Sequence, residues 1–313
     1  MSQEHWESYS RGGALVSCPL GLEPGYTREV RDTWVAFFSS LPDGARILDI
    51  GTGNGAIALI ALETAAALGR SCSIDGIDLA QIDPVRYVKD GARLFKDVRF
   101  HAGVSAEALP FESESFDAVC GQYALEYTDC GRSLAEMFRV LRPGGRGQFI
   151  LHHRDSIVVE NAEESLRHAA VVLDETKVFR LFRRYAEAER ASPNSATKQW
   201  QEIVAAGEFL QRKARESRNS MLLAMTLDSL RRLFDQRASV SPATLERAVE
   251  AMEAELRASV RRLQDLAGAA QSQEDIAELV RMAEATGFCA IGFRPQLHAG
   301  DKLVGWRLNF TKA

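Results

Sequence analysis

The chain has little of what would announce several large protein classes. Its five cysteines (Cys18, Cys72, Cys120, Cys130 and Cys289) form no C-x-x-C pair and no zinc-like spacing. No disulfide framework and no metal site are expected, and reduced thiols in a cytoplasmic protein are. No apolar run reaches the ~18 residues of a membrane span. The opening MSQEHWESYSRGG is polar and lacks the basic-then-apolar order of a secretory signal. Neither sign of charge is in large excess: 38 Lys and Arg face 43 Asp and Glu, a net charge of −5. That balance leaves no electrostatic footprint for nucleic acid.

Glycine is missing from the middle of the chain. Residues 155–275 hold only Gly207 and Gly268 of the 23 glycines. That stretch reads as about five helices with balanced charge, which suits solvated helix faces. Ser241-Pro242 is a helix start signal. Beyond it Leu245, Val249, Met252, Leu256, Val260, Leu263 and Leu266 recur every three or four residues, one apolar stripe on a long helix. Leu223, Leu227, Leu230 and Phe234 form a matching stripe over 220–236, and the turn at 238–242 would fold the two into an antiparallel hairpin.

The glycine-rich parts alternate short apolar runs with turns. Strands are expected at Ala45–Ile50, Ser73–Ile77, Val98–His101, Phe116–Cys120 and Gly147–His152. Helical patterns lie between them near 55–68, 84–95 and 131–141, and Trp34 and Phe37-Phe38 form the apolar face of a helix before the first strand. This order argues for a doubly wound α/β fold around a mostly parallel sheet. After the helical stretch, a helix from Gln273 ends at Gly287. Strand-like Cys289–Phe293, a loop at Pro295–Asp301 and strand-like Leu303–Thr311 follow, and two strands joined by a loop should pair antiparallel. The expected organisation is a sheet domain from 1–154 and 273–313, with 1–44 as an N-terminal helical cap and 155–272 as a helical insertion.

The segment most informative about chemistry is Ile47-Leu48-Asp49-Ile50-Gly51-Thr52-Gly53-Asn54-Gly55. An apolar strand runs into three glycines and then into a helix, the geometry of a ligand loop at the carboxyl edge of a sheet. The glycine spacing is not the dinucleotide G-x-G-x-x-G, and no Gly-Lys-Ser/Thr P-loop is present. Asp49 before the glycines would repel phosphate and suit a cationic ligand. Asp78 ends the second strand, where a carboxylate can accept hydrogen bonds from ribose hydroxyls.

These residues resemble the class I, Rossmann-like S-adenosylmethionine-dependent methyltransferases. Asp49 through Gly55 match the family's first motif, and Ile77-Asp78-Leu79 matches its acidic second-strand end. Ala106–Phe111 with Ser115–Val119 match the approach to the fourth strand, and Arg139–Gly145 match the turn before the fifth. The resemblance covers about 45–150 and 276–313 and implies a seven-stranded sheet with an antiparallel last strand. It also implies roles. Asp49, Gly51, Thr52, Gly53, Asn54 and Gly55 would hold the methionine moiety of S-adenosylmethionine. Asp78 would hold the ribose and Leu79 would lie against adenine, with Ser105, Ala106 and Glu107 at the adenine edge. The common pattern has Asp where Ser105 stands, and serine would bind the adenine amine more weakly.

On the acceptor side, Gln122-Tyr123-Ala124-Leu125-Glu126-Tyr127 follows the fourth strand. The Asn/Asp-Pro-Pro-Tyr motif of amide and exocyclic-amine methyltransferases is absent. Gln122 is expected to touch the cofactor, and Tyr123 and Glu126 to position an acceptor, against the alternative that the tyrosines only pack. His152 and His153 follow the fifth strand, and one of them could serve as base for a hydroxyl. Trp6, Tyr9 and Arg11 could fold over the cofactor or pack on the sheet edge. The helical insertion reads as a lid over an apolar or carrier-bound acceptor, or as a homodimer seam. The expected function is methyl transfer to a small molecule, with hydroxyl or carboxylate oxygen favoured. Protein or RNA methylation, and noncatalytic cofactor binding in an assembly, are the competing readings.

Overall fold

The computed structural model describes residues 4–16, 26, 28–192, 196–237 and 239–313. Seven strands form one sheet: β1 (Ala45–Ile50), β2 (Cys72–Asp78), β3 (Val98–Ala102), β4 (Phe116–Gln122), β5 (Leu141–Leu151), β6 (Phe288–His298) and β7 (Lys302–Lys312). Their spatial order is β3-β2-β1-β4-β5-β7-β6. The first five are parallel, and β7 runs antiparallel between β5 and β6. The expected mostly parallel, doubly wound sheet with an antiparallel end is thus the observed one.

Parallel strands covered on both faces read as continuous apolar runs, and β1 is buried along nearly its whole length. Helices α1 (Glu4–Arg11), α2 (Arg28–Ser39) and α3 (Ala56–Ala67) precede or follow β1. Trp34, Phe37 and Phe38 of α2 are buried together, as their spacing predicts. On the opposite face Leu134, Met137 and Val140 of α6 (Cys130–Val140) share a core with Ile276, Leu279 and Ala283 of α12 (Gln273–Thr286). Each fully buried Leu, Ile, Val or Met among these contributes about 1.5–3 kcal/mol. A capping box opens α12: Ser272 accepts from the Asp275 N–H, and the Asp275 side chain accepts from the Ser272 N–H. Gly287 closes it at φ 109°.

Two local expectations differ from the structure. The helix expected over 84–95 is broken into α4 (Pro84–Tyr87) and α5 (Gly91–Leu94). Asp90 sits at φ 60°, which a continuous helix cannot accommodate, and Gly91 packs so that a Cβ would lie 2.4 Å from the Pro84 carbonyl oxygen. The loop expected from Pro295 is instead strand: Pro295 pairs with Trp306, and β6 runs on to His298. β6 is an edge strand, where a proline's missing N–H costs no ladder bond.

The chain divides into two compact units, Met1–Val159 with Asp265–Ala313, and Glu160–Gln264. The sequence expectation had placed the junctions at 155 and 272. The middle of the chain carries α7 (Ile157–Ala170), a π-helical turn at Val171–Glu175, α8 (Val178–Ala191), α9 (Thr197–Glu216), α10 (Met221–Gln236) and α11 (Pro242–Ala269). The second unit has its own core, built on Phe179, Phe182, Leu210, Leu223, Leu230 and Val249. Much of the α10 and α11 stripes, from Leu223 to Leu230 and from Leu245 to Val260, packs into that core. Among the described residues, no helix is long and apolar enough to cross a membrane.

Candidate active site

Strand order reverses between β1 and β4, which are neighbours in the sheet but distant in sequence. In open α/β sheets the crevice at the carboxyl ends of such a strand pair is where ligands bind. The glycine loop after β1 and the turn after β4, with its 3₁₀ segment Leu125–Tyr127, flank that crevice. They touch at Gly51 and Ala124. A Cβ at Gly51 would lie 2.3 Å from Ala124 Cβ, and Gly51 is at φ 64°, so only glycine fits. Tyr123 is also left-handed at φ 56°, rare for a bulky residue and characteristic of functional sites.

Asp78 projects from the end of β2 across to the glycine loop. Its Oδ2 accepts the Gly53 N–H at 2.9 Å and its Oδ1 accepts the Ala80 N–H at 2.9 Å. Each carboxylate oxygen retains a further lone pair. Burial pushes the Asp78 pKa up, against the pull of those two amides. Beside it Leu79 is 50% exposed, an apolar surface that a flat ring would cover.

Asp49 lies beneath the loop rather than in its mouth. Its Oδ2 accepts from Thr52 Oγ1 at 2.6 Å, and the Cys120 thiol donates to Oδ1 at 3.8 Å. Burial raises its pKa to about 7, although Thr52 and Cys120 oppose the shift. The side chains of Asp49 and Thr52 therefore shape the loop from inside. Gly55 starts α3 at φ 84°.

Asn54, expected among the ligand contacts, uses its side chain to clamp the N-terminal segment. It accepts from Ser10 Oγ at 3.0 Å and donates to the carbonyls of Ser10 and Ala14 at 3.2 and 2.7 Å. Helix α1 also sets Trp6 edge-on to Tyr127, 5.9 Å between centroids, and pairs His5 with Asp265 at 2.7 Å. The segment carrying Trp6, Tyr9 and Arg11 is thus tied to both loops. Tyr9 donates to the Ala14 carbonyl, and Arg11 is exposed.

At the expected adenine edge, two of the three side chains are engaged elsewhere in the fold. Ala106 is buried in the core beneath α6. Glu107 turns away to the start of α6, accepting the Asp129 N–H at 3.0 Å and pairing with Arg132 at 3.0 Å. Ser105 remains half-buried, its Oγ accepting the Glu107 N–H at 3.2 Å.

Gln122, Glu126 and His152 each leave a buried polar atom unpaired: Nε2, Oε2 and Nδ1 respectively. Trp34 Nε1 donates to Gln122 Oε1 at 2.6 Å, fixing the amide's orientation. The His152 N–H donates to Glu126 Oε1 at 2.7 Å. Burial raises the Glu126 pKa to about 7. The Tyr123 ring stacks on His152 at 4.0 Å, nearly parallel, and its hydroxyl donates to the Val304 carbonyl at 2.8 Å. Tyr123 is therefore a wall of the site with its hydroxyl already committed.

The two histidines expected as candidate bases sit in different surroundings. Burial lowers the His152 pKa to about 3, so its ring holds a proton only in strong acid. His153 points to the other side, stacked on Trp306 at 4.2 Å, and its Nδ1 accepts the Asp155 N–H at 3.0 Å. Adjacent residues at a strand end face opposite ways, and each ring found an aromatic partner. Sequence reading missed the supporting residues Ser10, Trp34 and Trp306. Only Trp34 gave a signal, as part of an apolar helix face.

A family model for a methyltransferase domain matches residues 47–145, from β1 into β5. That span, about a third of the chain, is similar to a methyltransferase domain. Similar proteins include an uncharacterized methyltransferase of Mycobacterium tuberculosis, 32% identical over 149 residues, covering 47% of this chain and 54% of the relative. A ubiquinone/menaquinone biosynthesis C-methyltransferase of Geotalea daltonii is 36% identical over 128 residues, covering 40% and 52%. The chain spans about half the length of these curated relatives. Among solved structures, the [4+2]-cyclase SpnF is 17% identical, covering 99% of this chain and 92% of that one, with a TM-score of 0.43. The matched span holds the glycine loop, Asp78 and the Gln122–Tyr127 turn, and the helical unit lies outside it.

Proposed function

We propose that the protein is an S-adenosylmethionine-dependent methyltransferase that methylates oxygen on a small, apolar acceptor. The observation that carries this reading is the Asp78 carboxylate. It is locked to the Gly53 and Ala80 amides, with a half-exposed leucine beside it at the end of β2. A carboxylate acceptor beside an apolar surface fits a ribose with an adjoining flat base. When bound, S-adenosylmethionine supplies an electrophilic methyl carbon on its sulfonium. The chain's own contribution is then chiefly alignment, which alone is worth several powers of ten in rate. Asp78 and the glycine loop fix one reactant. The Tyr123, Tyr127 and His152 rings offer a largely apolar wall for the other.

An apolar acceptor also accords with the Geotalea relative, named for ubiquinone and menaquinone biosynthesis. Free Cys72, Cys120, Cys130 and Cys289 suit a reducing, cytoplasmic setting. Calorimetric titration with S-adenosylmethionine and with S-adenosylhomocysteine tests the cofactor reading. Saturable binding of both is expected, and no affinity for either would sink it. Mass spectrometry of reactions with apolar alcohols and phenols then tests transfer by a 14 Da gain.

A further inference from the structure

Glu126 is more than nine-tenths buried, yet only one of its oxygens is used. Oε1 is pinned by the His152 main-chain N–H at 2.7 Å, while Oε2 has no hydrogen-bond partner. A buried carboxyl oxygen left unpaired costs about 1–3 kcal/mol or more, a cost that a ligand could remove. The group lies two residues beyond Ala124, which touches Gly51 of the glycine loop. Its surroundings are aromatic: Tyr127 lies edge-on to His152, which stacks on Tyr123.

We propose that Glu126 Oε2 is the acceptor-recognition group, taking a hydrogen bond from a neutral apolar hydroxyl and excluding carboxylate acceptors. This rests on the methyl-transfer reading above and narrows its substrate class. Where Glu126 is ionised, a carboxylate ligand brings no donor to Oε2 and sets two like charges together in a poorly solvated site, which is repulsive. Among the described residues around it, neither the rings nor the thiol supplies a cation. The His152 ring is neutral at ordinary pH, Tyr123 and Tyr127 carry no positive charge, and the Cys130 thiol has its pKa pushed up to about 11. His5, on the helix above Tyr127, is engaged with Asp265. A hydroxyl, in contrast, supplies the missing donor. In transfer to it, the O–C bond forms as the C–S bond breaks, sulfur keeps the electron pair, and the hydroxyl proton passes to Glu126. The residue thereby serves selection and proton transfer at one atom.

The test uses the whole protein loaded with S-adenosylhomocysteine and two matched probes, 2-naphthol and 2-naphthoate, titrated at pH 8.5 where Glu126 is ionised. The wild type is expected to bind 2-naphthol at least tenfold more tightly. Glu126→Gln, nearly the same shape, is expected to lose most of that preference by gaining naphthoate affinity. Binding of neither probe, equal binding of both by the wild type, or an unchanged ratio in Glu126→Gln would each overturn the inference. Failure of the underlying reading is distinct, since it appears as no affinity for S-adenosylhomocysteine in either protein.

Discussion

Asp78 joins two parts of the sheet edge through one carboxylate, so its removal should be felt first in binding. Asp78→Ala deletes two charge-assisted bonds to backbone amides and any contact to a ribose. Such bonds are worth about 1.5–3 kcal/mol each. Cofactor affinity should fall roughly 10–100-fold in a calorimetric titration, with the sheet intact by circular dichroism. Glu126 makes a prediction about stability instead. Its folded pKa of about 7 lies above its ordinary value of 4.5. The neutral acid is the form the fold prefers. That contribution is fully present below pH ~4.5 and is lost as pH rises through 7, a change of about 3 kcal/mol. Glu126→Gln should therefore match the wild type's melting temperature at pH 4 and exceed it at pH 8. A gain of equal size at both pH values would contradict the assignment. His152 works in the opposite sense: burial holds it neutral, and its contribution is kept above pH 6.5 and lost as pH falls towards 3.

Among the elements, the glycine loop and helix α1 were legible in the sequence to different degrees. Asp49, the glycines and Asp78 sit where strand ends are fixed by simple periodicity, so their placement could be read directly. Side chains just beyond a strand depend on what packs beside them. That is why Glu107 turned to the α6 N-terminus, Ala106 went into the core, and His152 and His153 became stacking partners. The break at Asp90-Gly91 was hidden for the same reason, because a close backbone approach leaves no periodic trace. Two expectations belong at this scale. Gly51→Ala would push a methyl into Ala124 at a left-handed position, costing about 2–4 kcal/mol from overpacking and backbone strain. Chemical denaturation should register that loss. Asn54→Ala removes the clamp on Ser10 and Ala14. Limited proteolysis should then cut within residues 4–16 faster than in the wild type, while cleavage within β1–β5 stays unchanged.

The whole molecule is two cores on one chain, and the proposed cofactor residues all belong to the unit containing the sheet. A ligand stabilises what it binds, by an amount set by its concentration relative to its dissociation constant. Saturating S-adenosylhomocysteine should slow amide hydrogen exchange in residues 47–57, 76–80 and 120–127. Exchange within Glu160–Gln264, measured in the same sample, should change far less. Equal protection of both units would show that the helical core shares the binding energy.

Strand β5 takes its second neighbour from the far end of the chain: Leu151 pairs with Trp306, and Arg146 with Thr311. On the ribosome, at about 5–20 residues per second, β5 waits roughly 10–30 seconds before β7 emerges. During that wait its row of amides and carbonyls is open to any other extended segment. The helical unit is synthesised within the same interval and buries its own apolar stripes as it appears. A nascent chain halted before residue 302 would therefore carry a finished helical core beside an unfinished sheet, and the sheet is where chaperones would be needed.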